Sequence, residues 1–506
     1  MSTKEFPIFS KPGIQRDGTQ YSTDNYIDGQ WVRFQRGLPR KIGGYKQLIA
    51  LDRIARGIFV QPISTDLDVY IGDSNKFQYL PLDQFGNVTG PLVDRTPVAY
   101  VPDPNNQWTV DNLFVAAGIF TGVTCIFAHA APNLLDISSS VETPVFYGDI
   151  NSNAPLVPTG QVTSGGMVSL APYMIYYGKF GVVKVSMPND PTTIQTTIRV
   201  TGQDIIQGKQ VRGGNSSPAG LLWSLDSVIR MTQAGTNANV DFRFDTLSDE
   251  TSIMASNSVI EYDSRYFWIG IDKFFIYNGV VQELPNDQST NFFFDNVNFQ
   301  YREKIWATKV PHYNEIWWFF PFGDSVECNH ALIFNVRSGT WYDTAVDRSS
   351  GYYPQVFNRP IWADAVVDGN GKYPLWMHEY GVDKVVGNTF TAIDSYYETG
   401  LISFAARGPE DQWTGIDRWV NLVTMEPDFA TFVGDMTFVV NGRQYCQGDL
   451  QASTPYTFNS STTKVDMKGS GEQRRFMTLK FESNVVGGNY QAGIVLLEIG
   501  TGDGRK

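Results

Sequence analysis

The sequence predicts an all-β chain: a divergent β-propeller of six or seven blades, followed by a C-terminal antiparallel β-sandwich or barrel. Three observations lead to this reading. RYFWIGIDKFFIYNG (Arg265–Gly279) is rich in Tyr, Phe, Trp and Ile, which favour the pleated surface of a sheet. Its Gly270–Lys273 break turns one strand into a second, and Asn278-Gly279 turns the second into a third. The phrase also recurs. Ile269-Gly270, Lys273-Phe274 and Tyr277 correspond to Ile71-Gly72, Lys76-Phe77 and Tyr79 in VYIGDSNKFQYLPL (Val69–Leu82), and Gly178-Lys179-Phe180 marks a shorter copy in YMIYYGKFGVVKV (Tyr173–Val185). Recurrent strand–turn–strand units signal a repeat architecture. Finally, no helix of ten residues is predicted anywhere, which argues against parallel α/β folds.

Residues 1–53 read as an N-terminal strand and docking segment, polar and turn-rich, ending in DGQWVRFQRGLPRKIGGY (Asp28–Tyr45). Gln30–Phe34 alternates as a strand does. Arg33, Arg36, Arg40 and Lys41 cluster there, either on a solvated edge strand or as a docking surface for an acidic partner. Residues 54–390 carry the propeller. Its meanders centre on Ile58–Leu82, Trp108–Ile137, Tyr173–Val185, Leu221–Phe244, Val259–Leu284, Ile305–Asp343 and Ile361–Val385. Gly72 to Gly118 spans one propeller repeat of about 40–50 residues, and Gly178 to Gly270 spans two. The units are too divergent for a WD or kelch signature. Residues 391–506, past a boundary near Thr391–Gly400, form the sandwich. There TFVVNGRQY (Thr437–Tyr445) reads as a hairpin turning at Asn441-Gly442, and KVDMKGSGEQRRFMTLKFES (Lys464–Ser483) and AGIVLLEI (Ala492–Ile499) add alternating strands.

The 506-residue chain has 39 basic and 52 acidic side chains, a net charge of −13. That sign opposes a non-specific grip on nucleic acid. Charged residues make up 18%, below the ~25% of an average domain, which suits a β-rich chain with surface buried in an assembly. Cys125, Cys328 and Cys446 form neither a CxxC nor a disulfide framework, so a reducing compartment is expected. The opening MSTKEFPIFSKPG lacks the apolar core of a signal peptide, and no apolar run reaches the ~20 residues of a spanning helix. A soluble protein made in a cytoplasm is expected.

Chemistry is sparse. His129, His312, His330 and His378 have no metal or relay spacing and are expected in structural roles. No G-x-S-x-G, P-loop or G-x-G-x-x-G occurs, and GTGDGR (Gly500–Arg505) opens no helix. DGNGK (Asp368–Lys372) begins like a calcium loop but lacks the later bidentate Glu, and its D-G and N-G pairs suit a hairpin turn. Asp263, Asp272, Asp364 and Asp368 could gather at a propeller channel, where a glycosidase needs two carboxylates about 5–10 Å apart. EIWWFFPF (Glu315–Phe322) could stack on sugars, yet alternation sends consecutive strand residues to opposite faces, one within the blade and one against its neighbour. No catalytic residue, cofactor or metal is expected.

Several phrases together resemble a known family. After DGQWVRFQRGLPRKIGGY come LWSLDSVIRMTQAG (Leu222–Gly235), SNSVIEYDSRYFWIGIDKFFIYNG (Ser256–Gly279), EIWWFFP, ALIFNVRSGTWYD (Ala331–Asp343) and RRFMTLKFESNVVGGNYQAGIVLLEIGTGDGRK (Arg474–Lys506). Over nearly the whole chain this resembles the tail nozzle, or tail hub, of short-tailed bacteriophages, also called the packaged-DNA stabilisation protein. The resemblance implies a virion protein made in the host cytoplasm. It implies a homohexameric ring below the portal and its head-to-tail adaptor that retains packaged DNA and conducts it at ejection. Tail fibres or spikes and a needle or plug attach nearby, and the family has no catalytic residues to carry over. The alternative expectation is a propeller-type glycan-degrading or glycan-binding tail protein.

Overall fold

A computed structural model describes residues 3–8, 10–132, 141–211, 218–234, 241–404, 419–468 and 471–502. The end of the expected meander Trp108–Ile137 and the tail of GTGDGR therefore lie outside the described residues, as does Gly235. The chain is nearly all β, with a seven-residue helix at Thr290–Asn296.

Four-stranded antiparallel sheets follow one another over residues 55–94, 107–163, 166–199, 205–248, 260–283 and 306–345. A six-stranded sheet comes next and is completed from the other end of the chain. Tyr45–Leu51 pairs antiparallel with Tyr373–His378 and parallel with Lys384–Val386. The first strands of these sheets adjoin in order. Ala55–Ile63 lies beside Gln107–Val115, which lies beside Gly166–Leu170 and then Ile205–Gln210. The turn Ser256–Ser258 continues the series to Ile260–Tyr262 and Trp306–Val310, and Ser350–Tyr352 returns it to Ala55–Ile63. The arrangement is propeller-like.

The repeated phrase has one structural meaning. Ile71-Gly72 and Ile269-Gly270 each end the second strand of a sheet, and Lys76-Phe77 and Lys273-Phe274 lead into the third. Gly72 is needed for close approach: a Cβ there would overlap the ring of Trp108 from the next sheet. Trp108 in turn donates its indole N–H to the Asp73 carbonyl at 2.8 Å. Glu315–Phe320 alternates as expected. Ile316, Trp318 and Phe320 pack with Phe267 and Phe274 of the preceding sheet, while Trp317 and Phe319 pack on the other side with Trp31 and Trp362. Asn278-Gly279 is the tight turn expected, Gly279 having φ +110°.

The N-terminal segment is not a separate arm. Lys4–Pro7 pairs with Leu496–Gly502, and Asp28–Gln30 with Ser395–Glu398. The hairpin Val32–Gln35/Leu38–Lys41 joins Asn489–Ala492 and, beyond it, Phe429–Val433. The C-terminal sheets are thus built from both ends of the chain. Asn441-Gly442, expected as a hairpin turn, lies inside the strand Met436–Arg443 and pairs with Met477 and Thr478. Gly442 serves packing there, since a Cβ would meet Arg474 and the Phe476 carbonyl.

The same segment fastens these sheets to the ring. Arg33, 1% exposed, forms ion pairs with Glu315 at 2.9 Å and Glu379 at 2.6 Å, and its guanidinium lies 3.5 Å from the centre of the Tyr313 ring. Glu315 also accepts hydrogen bonds from Tyr342 (2.7 Å) and Trp317 (2.9 Å). Burial pushes the Glu315 carboxyl up, and the Arg33 charge pulls it back only in part. Burial also works against the Arg33 charge, but the two glutamates outweigh it and leave the guanidinium firmly protonated. Nearby, Arg16 bridges Asp28 (2.7 Å) and Asp343 (2.8 Å), and Asp17 accepts the first free amides of helix Thr290–Asn296, those of Asn291 and Phe292. Removing one partner of a buried ion pair strands a charge at a cost of about 3–5 kcal/mol. Arg33→Met is therefore expected to lower unfolding free energy by about that much in denaturant titration. Adding Glu315→Gln should restore part of the loss, and a change in Arg33→Met below about 1 kcal/mol would contradict this role.

Candidate functional site

The first strands of the sheets enclose a central cavity of about 510 Å³. Gln107, next to the lining residue Trp108, donates to the Glu303 carbonyl (3.1 Å) and accepts from the Asn257 amide (3.1 Å). Gln207 reaches the Ser256 carbonyl at 2.7 Å. Arg56, on the cavity lining, shares Glu327 with Lys304, at 2.8 and 2.6 Å respectively.

Besides Arg56, the strands place four charged side chains on the wall: Asp111, Lys209, Glu261 and Lys309. Asp111 accepts the backbone N–H groups of Ser169 (2.7 Å) and Asn112 (2.8 Å). Burial raises its carboxyl pKa, which these hydrogen bonds oppose. Lys309 donates to the Glu261 carboxylate at 2.8 Å. Burial lowers the Lys209 pKa; Asp111 acts to raise it and Lys309 to lower it further. Two acidic and two basic side chains thus share this wall with apolar neighbours such as Ile58, Val60 and Met167.

Of the carboxylates expected at the channel, Asp263 comes nearest, on a recess that shares Glu261 and Lys309 with the cavity. Asp272 is exposed on a turn. Asp364 accepts from the Trp376 indole at 2.9 Å and faces Arg348 at 3.5 Å. Asp368 folds a hairpin turn, accepting the amides of Asn370 and Lys372. Among the described residues no group of three His, Cys, Asp or Glu comes together to hold a metal, and no helix is long and apolar enough to cross a membrane. Sequence reasoning missed Asp111, Lys209, Glu261 and Lys309. Their signal was a charged residue inside an otherwise strand-like apolar run, as in WTVDNLFV and WATKV.

The basic cluster divides. Arg33 and Lys41 are buried, Lys41 donating to the Gly488 carbonyl at 2.9 Å. Half-buried Arg40 bonds Gln35 and lies 5.4 Å from the Tyr313 ring centre. Arg36 is exposed in the tight turn with Gly37, at φ +55°.

Three of the four histidines are built into packing, and His312 is exposed, edge-on to the Tyr313 ring. His129 contacts Thr163 (3.1 Å) and Thr143 (2.9 Å). His378 accepts from Arg348 at 3.0 Å and packs on Trp362. His330 meets Asp343 at 2.9 Å. Burial lowers the His129 pKa from 6.5 to about 4.

No family model and no curated protein matches this chain. Among solved structures it is similar to Raptor of Chaetomium thermophilum, with a TM-score of 0.40 and 8% identity over 67% of this chain. The match spans 29% of that protein's length, and a likeness this weak carries no argument about fold or function.

His129 yields a pH prediction. Its folded pKa is depressed, so its contribution is complete above pH 6.5 and is lost as the pH falls towards about 4. The unfolded chain binds the extra proton in that window. Unfolding free energy should fall by up to about 3 kcal/mol on this account. His129→Gln should flatten the decline, and an unchanged slope would contradict the assignment.

Proposed function

We propose that this chain is a structural subunit of the tail nozzle, or tail hub, of a short-tailed bacteriophage. Six copies form a ring below the portal and adaptor that extends the DNA channel, retains packaged DNA and conducts it during ejection. In this reading the ring of sheets is a seven-bladed propeller, and residues 391–506 with the N-terminal strands form a sandwich-like platform. The protein is assembled in the host cytoplasm, resides in the virion tail, and catalyses no reaction.

The sequence resemblance is the starting point. The observation that supports it best is the way residues 4–45 are paired into the C-terminal sheets and ion-paired to the ring. A tail ring under capsid pressure requires subunits whose parts move together. Two further features agree. Phe85, Val98, Val101 and Ile119 stand exposed on loops of the first two sheets and their connection, apolar surface that a ring interface would cover. In this reading the duplex runs along the axis between protomers. A net charge of −13 per copy would let DNA slide rather than be held by counterion release. Arg36 and Arg40 remain for docking an acidic adaptor, because Arg33 and Lys41 are engaged inside the chain. Tail fibres or spikes and a needle or plug would be the other neighbours.

A glycan-binding or glycan-degrading tail protein is the second reading, favoured by the charged wall of the central cavity.

Native mass spectrometry of the full chain, alone and with the adaptor, should show a closed six-copy species. Monomer under both conditions would contradict the proposal. The assembled ring should show little affinity for duplex DNA at physiological salt, and tight binding there would overturn the electrostatic account.

A further inference from the structure

The geometry points to a binding site for a small hydroxylated monocarboxylate, a sugar acid, in the central cavity, with Lys209 holding its carboxylate. This inference does not rest on the nozzle reading.

The cavity, about 510 Å³, falls within the range of small-molecule sites, about 300–1,000 Å³. Of the five charged side chains that line it, four are already engaged, Arg56 by Glu327 at 2.8 Å. Lys309 donates to both the Glu261 carboxylate (2.8 Å) and the Glu261 carbonyl (2.9 Å). Asp111 accepts one backbone N–H on each oxygen. Lys209 is the exception: the Asp111 charge acts on it, but among the described residues its half-buried side chain makes no hydrogen bond. A partly desolvated cation calls for an anion, and a carboxylate fits best. Asp111 and Glu261 line the same wall and would repel a second negative charge, which disfavours a phosphate dianion. They also shape the rest of the ligand. Each Asp111 oxygen keeps a lone pair free for an incoming donor, and Ser169 and Gln355 line the same cavity. Hydroxyl groups meet these acceptors and donors together, as an aliphatic acid cannot.

Sodium glucuronate, glucose and inorganic phosphate distinguish the possibilities in calorimetric titrations of the full chain. Glucuronate is expected to bind with a Kd of about 1 mM or tighter, and glucose and phosphate at least about tenfold more weakly. Lys209→Met should lose glucuronate binding by about tenfold or more, while Lys209→Arg retains it. An unchanged melting temperature in Lys209→Met separates this loss from misfolding, and Lys209→Arg serves as the folded control if Met is not tolerated. Equal binding of glucose, unchanged affinity in a folded Lys209→Met, or no glucuronate binding would each overturn the inference. None of these outcomes bears on ring formation.

Discussion

The architecture depends on one guanidinium. Arg33 belongs to a hairpin that completes a C-terminal sheet, yet its charge is balanced by Glu315 and Glu379 of the last two sheets of the ring. A buried ion pair of this kind adds little net stability over an apolar contact of the same shape, because desolvation offsets the attraction. It does fix geometry: three charged groups and the Tyr313 face accept few relative positions of the two units. Trp31, two residues earlier, packs on Trp317 and His378 and donates its backbone N–H to Thr344 at 2.9 Å. Arg16 and Asp17 add contacts to Asp343 and the short helix. The two regions therefore share a core, and Trp31, Phe34, Trp317 and Trp362 pack in the same cluster as Phe438 and Phe481.

This constraint orders the rest. The strand Tyr45–Leu51 follows directly from the stapled hairpin and enters the last sheet of the ring, so closing the ring and docking the C-terminal sheets are consecutive acts of one chain segment. Ring closure then brings together first strands far apart in sequence and creates the central cavity. Its charged wall follows from the fold: a polar side chain on a first strand has water only in that cavity and must find a partner there or stay solvated. Asp111, Glu261 and Lys309 find hydrogen-bond partners within the chain, whereas Lys209, within reach of the Asp111 charge, makes none among the described residues.

Local patterns were legible in the sequence and distant pairings were not. The strand–glycine–strand phrase, the turn at Asn278-Gly279 and the two-faced packing of Glu315–Phe320 follow from periodicity and turn chemistry alone. Each is decided within a dozen residues. The placement of residues 4–41 could not be read this way, because their partners lie some 365–495 positions on. For the same reason Arg33 and Lys41 looked like a surface cluster beside Arg36 and Arg40. The hairpin register sets Arg33 beside Arg40 on one face and Lys41 beside Val32 on the other, so only the surfaces packed on the hairpin show which of them are buried. Asn441-Gly442 illustrates the opposite error. The dipeptide suits a turn, yet the crossing of Arg474 makes glycine necessary within a strand. The cavity residues escaped notice because a single charge in an apolar strand has meaning only once the ring is closed.

The central claim is that the ring of sheets and the C-terminal sheets are one cooperative body joined by the N-terminal segment. Differential scanning calorimetry of the full chain tests this most directly, provided unfolding is reversible. The account predicts a single transition whose calorimetric and van't Hoff enthalpies agree. Two resolved transitions, one for each region, would contradict it.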